Sequence, residues 1–258
     1  MLKLAASPEA LRRWAERPAD FCALRMASAL DTYGLDGRYA LYWLRREGDG
    51  AFCRVSGRGF ALADTPPALA ELLSFLPVLG GMGEVFFSGC LPAQGERLWM
   101  MRRKENTNCN IQDELSNFAA FSPGIEITDC DNLTELYQFL CRHGQLPDAD
   151  YGQWLCDLSH RVRHGLAALW QVRRGEELAA VMGVYARNSG FGLLGSGFTA
   201  PQWRGRGYAG ALLRYGSGWL LRRGKEPCFA CEEALRPYYE QRGFAAAGQI
   251  ARLTPQEF

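Results

Sequence analysis

The stretch that decides the fold is FTAPQWRGRGYAGALL, from Phe198 to Leu213. Within it, GRGYAG from Gly205 to Gly210 fits the spacing G-x-G-x-x-G, in which glycines let backbone amides approach a phosphate at the N-terminus of a helix. Dinucleotide-binding folds use this spacing directly after their first strand, with several strand–helix units downstream. Of the 258 residues here, only 48 follow Gly210. The stretch is therefore either a phosphate site of another kind or a glycine-rich loop that holds no ligand.

The residues on either side of the glycines predict a strand, a helix and a second strand. FGLLGSGF, starting at Phe191, has the composition of a strand. YAGALLRYGSGWLLRRG places small and apolar residues at helical spacing and ends at Gly224, a C-terminal signal. PCFACE follows as another strand. Taken back to Gly124, the second half is predicted as strand, two helices, three strands, helix, strand, helix and strand.

The two halves of the chain are similar to each other. ALYWLRRE, starting at Ala40, matches the pattern of ALWQVRRG, starting at Ala168. Each is followed by a polar turn and a second strand-like run, and PPALAELLSFLPVLGG then predicts a first-half helix before the strand EVFFS. This order predicts a duplicated α/β unit, with one copy in 1–123 and the other in 124–258. The join is expected within 106–124, where the apolar periodicity lapses.

Composition excludes several classes of function. Hydrophobic residues make up 48% and charged residues 22%, which is typical of a globular protein with a full core. Lys and Arg number 29 against 28 Asp and Glu, so neither a general nucleic-acid binder nor a membrane-surface binder is expected. No apolar run has the length of a signal peptide or a membrane span. Nine scattered cysteines favour a reducing compartment, and we expect a cytoplasmic protein.

The cysteines and histidines do not predict a metal site. Cys228 and Cys231 form C-x-x-C, but no second pair or histidine lies at zinc-ligand spacing. Free cysteine is among the most buried residue types, so this pair is expected on a buried strand. His143, His160 and His164 lie in or beside predicted helices and are expected at the surface or at the core edge.

Two motifs resemble those of the GNAT superfamily of N-acetyltransferases. The first is that family's acetyl-CoA-binding motif, a strand, a proline, two residues and then R-x-x-G-x-G/A opening a helix. Its positions are filled by Pro201, Arg204, Gly207 and Ala209. The second is the family's closing motif, which EEALRPYYEQRGF resembles. Its positions are filled by Tyr239, Glu240, Gly243 and Phe244. The resemblance covers 124–258 and, more faintly, the first half.

The resemblance implies a mixed α/β (α+β) fold with a mostly antiparallel central sheet flanked by helices, in two tandem copies. It implies acetyl-CoA as co-substrate, bound by the second copy, with direct transfer of the acetyl group to an amine. The backbone of Phe198 and Thr199 would bond the pantetheine arm, and one amide there would polarise the thioester carbonyl. The pyrophosphate would be held by Arg204, Gly205, Arg206, Gly207, Tyr208 and Ala209. Either arginine can instead be solvated.

The resemblance also implies a catalytic acid. Tyr239 would protonate the departing thiolate, because a phenol keeps its proton at neutral pH yet can donate it to a neighbouring sulfur. Tyr238 is the rival, and adjacent helical residues point about 100° apart, so only one can face the sulfur. The base is not evident. Glu232 stands where the family commonly has Asn, and it and Glu233 are each either a base acting through water or a solvated carboxylate.

The first half lacks both motifs. It has ALADTPPALAELL in place of the glycines, so its backbone is not expected to wrap a pyrophosphate. Its role would be to shape the acceptor cleft, to complete the sheet, or to mediate a homodimer. The acceptor is a small-molecule amine or a protein amine, since fold-level resemblance fixes the donor alone. The alternative function is a non-catalytic acyl-CoA-binding or regulatory protein, which the missing base allows.

Overall fold

The computed structural model describes residues 1–104, 125–146 and 151–257. These residues form two compact units. The first unit comprises Met1–Lys104, Arg187–Phe191 and Cys228–Phe258. The second comprises the described residues within Glu105–Ala186 and Gly192–Pro227. The predicted join at 106–124 lies outside the described residues.

The described elements are twelve strands and seven α-helices. The strands are β1 Leu2–Leu4, β2 Ala40–Arg45, β3 Gly50–Val55, β4 Arg58–Ala63, β5 Val85–Gly89, β6 Glu96–Arg103, β7 Thr128–Asp129, β8 Ala168–Arg174, β9 Glu177–Arg187, β10 Phe191–Thr199, β11 Glu226–Glu232 and β12 Phe244–Leu253. The helices are α1 Pro8–Ala15, α2 Phe21–Tyr33, α3 Pro66–Leu79, α4 Leu133–Arg142, α5 Tyr151–Arg163, α6 Tyr208–Leu221 and α7 Arg236–Glu240.

The strands of the first unit lie in the order β1-β2-β3-β4-β5-β12-β6-β11. Neighbouring strands are antiparallel except β4 and β5, which are parallel and are joined through α3. A parallel pair needs such a crossover, because its strands run in the same direction. β12, the last strand of the chain, therefore lies between β5 and β6, two consecutive strands of the first half.

Both faces of this sheet are covered. Along β3, Cys53 faces the core that contains Trp14 of α1 and Met26 of α2, whereas its neighbour Phe52 faces the core that contains Leu72 of α3. Successive side chains of a strand point to opposite faces, so β3 contributes to both cores. The three helices begin at side-chain caps, each of which accepts a backbone N–H bond; the caps are Ser7, Asp20 and Thr65.

The strands of the second unit lie in the order β10-β9-β8-β7, and helices cover both of their faces. Helices α4 and α5 share a core with β8 and β9 that includes Leu136, Leu158 and Val181. On the other face, Trp170 of β8 meets Trp219 of α6 with ring centroids 5.6 Å apart. Gly216 lets α6 approach closely, since an added Cβ would lie 2.9 Å from the Trp170 ring.

The order of elements in the second half agrees with the sequence-based prediction. The first half begins with the same order: a strand, two helices, three strands, a helix and a strand. The halves differ at their ends, because the first half ends with β6 and the second half ends with α7 and β12. The mixed α/β fold with a mostly antiparallel sheet flanked by helices is confirmed. Among the described residues, none of the helices combines the length and the apolar character that a bilayer crossing requires.

Candidate functional site

The glycine stretch forms the loop between β10 and α6. A short 3-10 turn, Pro201–Trp203, follows β10, and Gly207 is the N-cap of α6. Gly205 and Gly207 have φ of 76° and 82°, which glycine adopts without steric cost. No side chain caps this helix. The N–H groups of its first turn are therefore left for an external acceptor, as an anion site requires.

The two arginines of the loop differ in their surroundings. Arg204 is exposed, and its Nε donates a hydrogen bond of 3.2 Å to the carbonyl oxygen of Thr199. Its guanidinium also lies 5.6 Å from the ring centroid of Phe198. The guanidinium of Arg206 is exposed and lies 4.8 Å from the ring centroid of Trp203. Both retain N–H donors for a phosphate, since a guanidinium has five.

Tyr208 and Ala209 differ from the other loop residues because they begin the helix. The side chain of Tyr208 is buried, and its hydroxyl accepts a 2.5 Å hydrogen bond from Nε of Arg174. Ala209 is half-buried. Only the backbone of these two residues is available to a ligand, so the Tyr208 side chain fixes the start of α6 rather than contacting a phosphate.

The end of β10 borders a charged cleft within the second unit. The ring of Phe198 lies 5.0 Å from His143 and 5.7 Å from Phe139. His143 and Phe139 line a cleft of about 250 Å³, together with Arg142 of α4 and Glu177 of β9. The sequence did not identify Arg142 or Glu177 as site residues, because only the tertiary structure brings the end of α4 to the β8–β9 turn.

Tyr239 lies in the first unit, on α7. Its ring is half-buried and lies 4.5 Å from that of Phe229 on β11. Burial, with smaller contributions from Cys231 and Tyr238, raises the pKa of Tyr239 to about 12. Within the described residues its hydroxyl has no hydrogen-bond partner. Tyr238 instead packs against Arg242, whose guanidinium carbon is 3.5 Å from the ring centroid. Tyr239 is thus the protonated phenol that packs on the strand.

The two candidate carboxylates after β11 also differ. Glu232 is exposed at the end of the strand. Glu233 accepts a hydrogen bond from the indole N–H of Trp99 and pairs with Arg236 at 3.3 Å. Trp99 lies on β6, in the first half of the chain. Sequence reasoning missed it, because a tryptophan in a strand carries no motif and its contact with Glu233 spans the chain.

The sequence-predicted residues are divided between the two units. Phe198, Thr199 and the loop 204–209 belong to the second unit, whereas Glu232 and Tyr239 belong to the first. The roles assigned to them remain predictions. Cys228 and Cys231 are buried on β11, as expected. In the described part of the chain, no group of three His, Cys, Asp or Glu residues could hold a metal ion.

The first-half counterpart of the glycine loop is closed. Thr65 caps α3 by accepting a bond from the Ala68 N–H, and its hydroxyl donates to Asp49 at 2.5 Å. The carboxylate of Asp49 and the occupied cap disfavour an anion there. Strands β4 and β5 pair up to Ala63 and Gly89, where an added Cβ would overlap the Ala63 carbonyl oxygen. This half therefore has no opening between these strands.

Comparison with known proteins gives a family match and several similar folds. The profile of the acetyltransferase (GNAT) family matches residues 131–244. An acetyltransferase of the GNAT family from Colwellia psychrerythraea is 15% identical, with a TM-score of 0.58, covering 98% of this chain and 99% of that chain. A GCN5-related N-acetyltransferase-like protein from Streptococcus suis is 12% identical, with a TM-score of 0.59, covering 95% and 98%.

A third solved structure has a tandem arrangement. It is a tandem GNAT protein from the clavulanic acid biosynthesis pathway, 15% identical, with a TM-score of 0.55, covering 98% of this chain and 97% of that chain. At these identities the likeness establishes the fold. No curated protein matches the sequence.

Proposed function

We propose that this chain, whose residues 131–244 match the profile of the acetyltransferase (GNAT) family, transfers the acetyl group of acetyl-CoA directly to an amine. The observation that carries the proposal is the glycine N-cap of α6, which has no capping side chain and has Arg204 and Arg206 beside it. This combination suits a diphosphate, because helix N–H groups and guanidinium groups both donate to phosphate oxygens.

The residues proposed to bind the diphosphate and the pantetheine arm all lie in the second unit. The loop 204–209 takes the diphosphate, with Tyr208 and Ala209 contributing their backbone. The end of β10, at Phe198 and Thr199, bonds the pantetheine arm through its backbone. Ser196, two residues before Phe198, has φ of 49°, which is uncommon outside glycine and interrupts the regular strand. One backbone amide at this end of β10 would polarise the thioester carbonyl.

Direct transfer needs one acid and one proton acceptor. The amine nitrogen attacks the thioester carbon, the carbon–sulfur bond breaks, and the thiolate takes the phenol proton of Tyr239. The amine proton leaves to water, or through water to Glu232. A route through an acyl group on Cys231 is disfavoured, because burial raises the pKa of this thiol to about 11 and a protonated thiol is a poor nucleophile.

The acceptor is proposed to be a small-molecule amine or a protein amine. The cleft beside Phe198 carries the carboxylate of Glu177, which favours a cationic amine, and the cation of Arg142. The first half would not bind a second donor, because its α3 N-terminus is already capped by Thr65. The nearly balanced charge of the chain gives no support for a nucleic-acid partner.

We also propose that the protein is cytoplasmic and that it forms a homodimer. None of the described cysteines forms a disulfide, and Cys22 and Cys53 are buried thiols. Free thiols in this number are typical of proteins kept in a reducing compartment.

The test is release of the CoA thiol from acetyl-CoA in the presence of a panel of amino acids, polyamines and short peptides. Tyr239→Phe is expected to lower kcat about a hundredfold, the usual contribution of a general acid. Tyr238→Phe is the matched control and should leave kcat unchanged. An acetyl-CoA-stabilised protein that releases no thiol with any amine would instead be an acyl-CoA-binding or regulatory protein. Loss of activity in Tyr238→Phe alone would transfer the acid role to that residue.

A further inference from the structure

The first half of the chain supplies the strand next to β11. In the antiparallel pairing of β6 with β11, Leu98 lies opposite Glu232 and Trp99 lies opposite Cys231. β11 leads directly into the segment that carries Tyr239, since its last residue precedes α7 by only three residues. The end of β11 is thus held in place by first-half residues, although α7 belongs to the second half.

Trp99 also contacts the segment beyond β11. Its indole N–H donates to the carboxylate of Glu233, and the guanidinium of Arg236 lies 4.7 Å from its ring centroid. Arg236 in turn pairs with Glu233 at 3.3 Å and with Glu240 at 3.4 Å. Arg236 and Glu240 are the first and last residues of α7. Trp99 therefore contacts the turn before the helix and, through Arg236, both ends of the helix.

This short helix depends on such contacts for its position. α7 has five residues, and a helix of that length is not stable by itself in water. The carboxylate of Glu233 is largely exposed and that of Glu240 is partly exposed, and ion pairs in contact with solvent add little to the stability of a protein. The contacts of Trp99 and Arg236 should therefore matter more for where α7 lies than for the stability of the chain.

We propose that Trp99 is a positioning residue for Tyr239, and that this is one contribution of the first half to catalysis. Trp99 fixes Glu233 and Arg236, these fix α7, and α7 presents the Tyr239 ring to Phe229 with its hydroxyl unbonded. The proposal rests on the proposed function, in which Tyr239 is the acid. A displacement of about 1 Å in a catalytic group can lower a rate about a hundredfold, so a loosened α7 should be visible in kcat.

The test uses Trp99→Phe in the full chain. Phenylalanine keeps an aromatic ring for Arg236 but removes the N–H that holds Glu233. Trp219→Phe is the matched control, because Trp219 also stacks with an arginine, Arg223, at 3.7 Å, and lies on α6 of the second unit. We expect Trp99→Phe to lower kcat about tenfold, with the KM for acetyl-CoA changed less than about twofold. Trp219→Phe should leave kcat unchanged.

A second measurement does not depend on turnover. With 3-fluorotyrosine incorporated, the fluorine resonance of Tyr239 is identified by its loss in Tyr239→Phe. It should shift in Trp99→Phe and stay in place in Trp219→Phe. An unmoved resonance together with an unchanged kcat would overturn the proposal. A shifted resonance in a chain whose wild type releases no thiol would leave Trp99 as the residue that places Tyr239 and would reject the proposed function instead.

A third pair of variants guards against a misfolded Trp99→Phe. Glu233→Gln keeps an oxygen acceptor for the indole N–H, whereas Glu233→Ala removes it. The side chain of Glu233 is largely exposed, so neither substitution disturbs the core. Glu233→Ala should shift the Tyr239 resonance and lower kcat more than Glu233→Gln does. Equal effects of the two substitutions would contradict the role of the Trp99 hydrogen bond.

Discussion

Replacing Gly207 by alanine separates the effect of backbone strain from the effect on the proposed donor site. Gly207 has φ of 82°, and among the described residues the nearest neighbour of an added Cβ would be Cδ1 of Ile125 at 4.0 Å. The substitution therefore causes no clash within the described structure. Placing alanine in this left-handed backbone conformation costs roughly 1–2 kcal/mol of folding free energy. About half a kcal/mol of that cost is offset, because alanine reduces the conformational freedom of the unfolded chain. We expect a loss of about 1 kcal/mol in the free energy of unfolding.

Gly224 provides the matched control at the other end of the same helix. Its φ is 67°, and an added Cβ would have no atom within 4 Å. Gly224→Ala should therefore cost the same stability, about 1 kcal/mol or about 2–4 °C in Tm for a chain of this size. Unlike Gly207, Gly224 lies beyond the C-terminal end of α6, where an anion is disfavoured. This variant should bind acetyl-CoA like the wild type.

The two variants differ in the response of Tm to acetyl-CoA. At a concentration of about 100 times Kd, the ligand stabilises a protein by about 2.7 kcal/mol, or about 5–10 °C here. If the diphosphate lies against the backbone of Gly207 as proposed, a methyl group there would keep it from the N–H groups that begin α6. Loss of one or two charge-assisted hydrogen bonds costs about 3 kcal/mol, a weakening of about a hundredfold. The stabilisation of Gly207→Ala would then fall to about 0.4 kcal/mol, or about 1 °C.

The assay is thermal unfolding of wild type, Gly207→Ala and Gly224→Ala, with and without acetyl-CoA. The reasoning is refuted if Gly207→Ala loses stability by itself but gains as many degrees from acetyl-CoA as Gly224→Ala does. In that outcome the loop would be strained without serving as the diphosphate site. Absence of any shift in the wild type would remove the donor site altogether.

Two further predictions concern proton transfer and packing. Because the pKa of Tyr239 is raised to about 12, its proton is retained well above neutrality, so the ratio of wild-type to Tyr239→Phe kcat should be constant from pH 7 to pH 10. A twofold fall in that ratio by pH 10 would indicate a phenol of ordinary pKa. Gly216→Ala should lower the free energy of unfolding, measured in urea, by about 1–3 kcal/mol, because its Cβ would lie 2.8 Å from Leu194 and 2.9 Å from Trp170. Gly152→Ala, in a helix where no atom of the described residues would lie within 4 Å of the added Cβ, should instead raise that energy by about 0.5–1 kcal/mol, and equal losses in the two variants would contradict the packing argument.

The sequence by itself determined the features that are encoded locally. The glycines at 205 and 207 and the helix after them form one continuous segment, whose conformation depends on backbone sterics and on apolar spacing. The C-x-x-C pair was likewise expected on a buried strand, as observed. Tyr208 shows the limit of such reasoning, because its place beside the glycines suggested a phosphate contact while its hydroxyl bonds Arg174.

The tertiary structure decided how distant segments combine. β6 was not predicted, nor was the insertion of β12 between β5 and β6, because the pairing of strands depends on which edges meet in space. The same is true of Trp99, whose partner Glu233 lies 134 residues away in the chain. Local propensity can specify a strand, a turn or a helix start, since each involves neighbouring residues. Trp99 contacts the segment that carries Tyr239 only in the folded sheet, because only there does β6 lie beside β11.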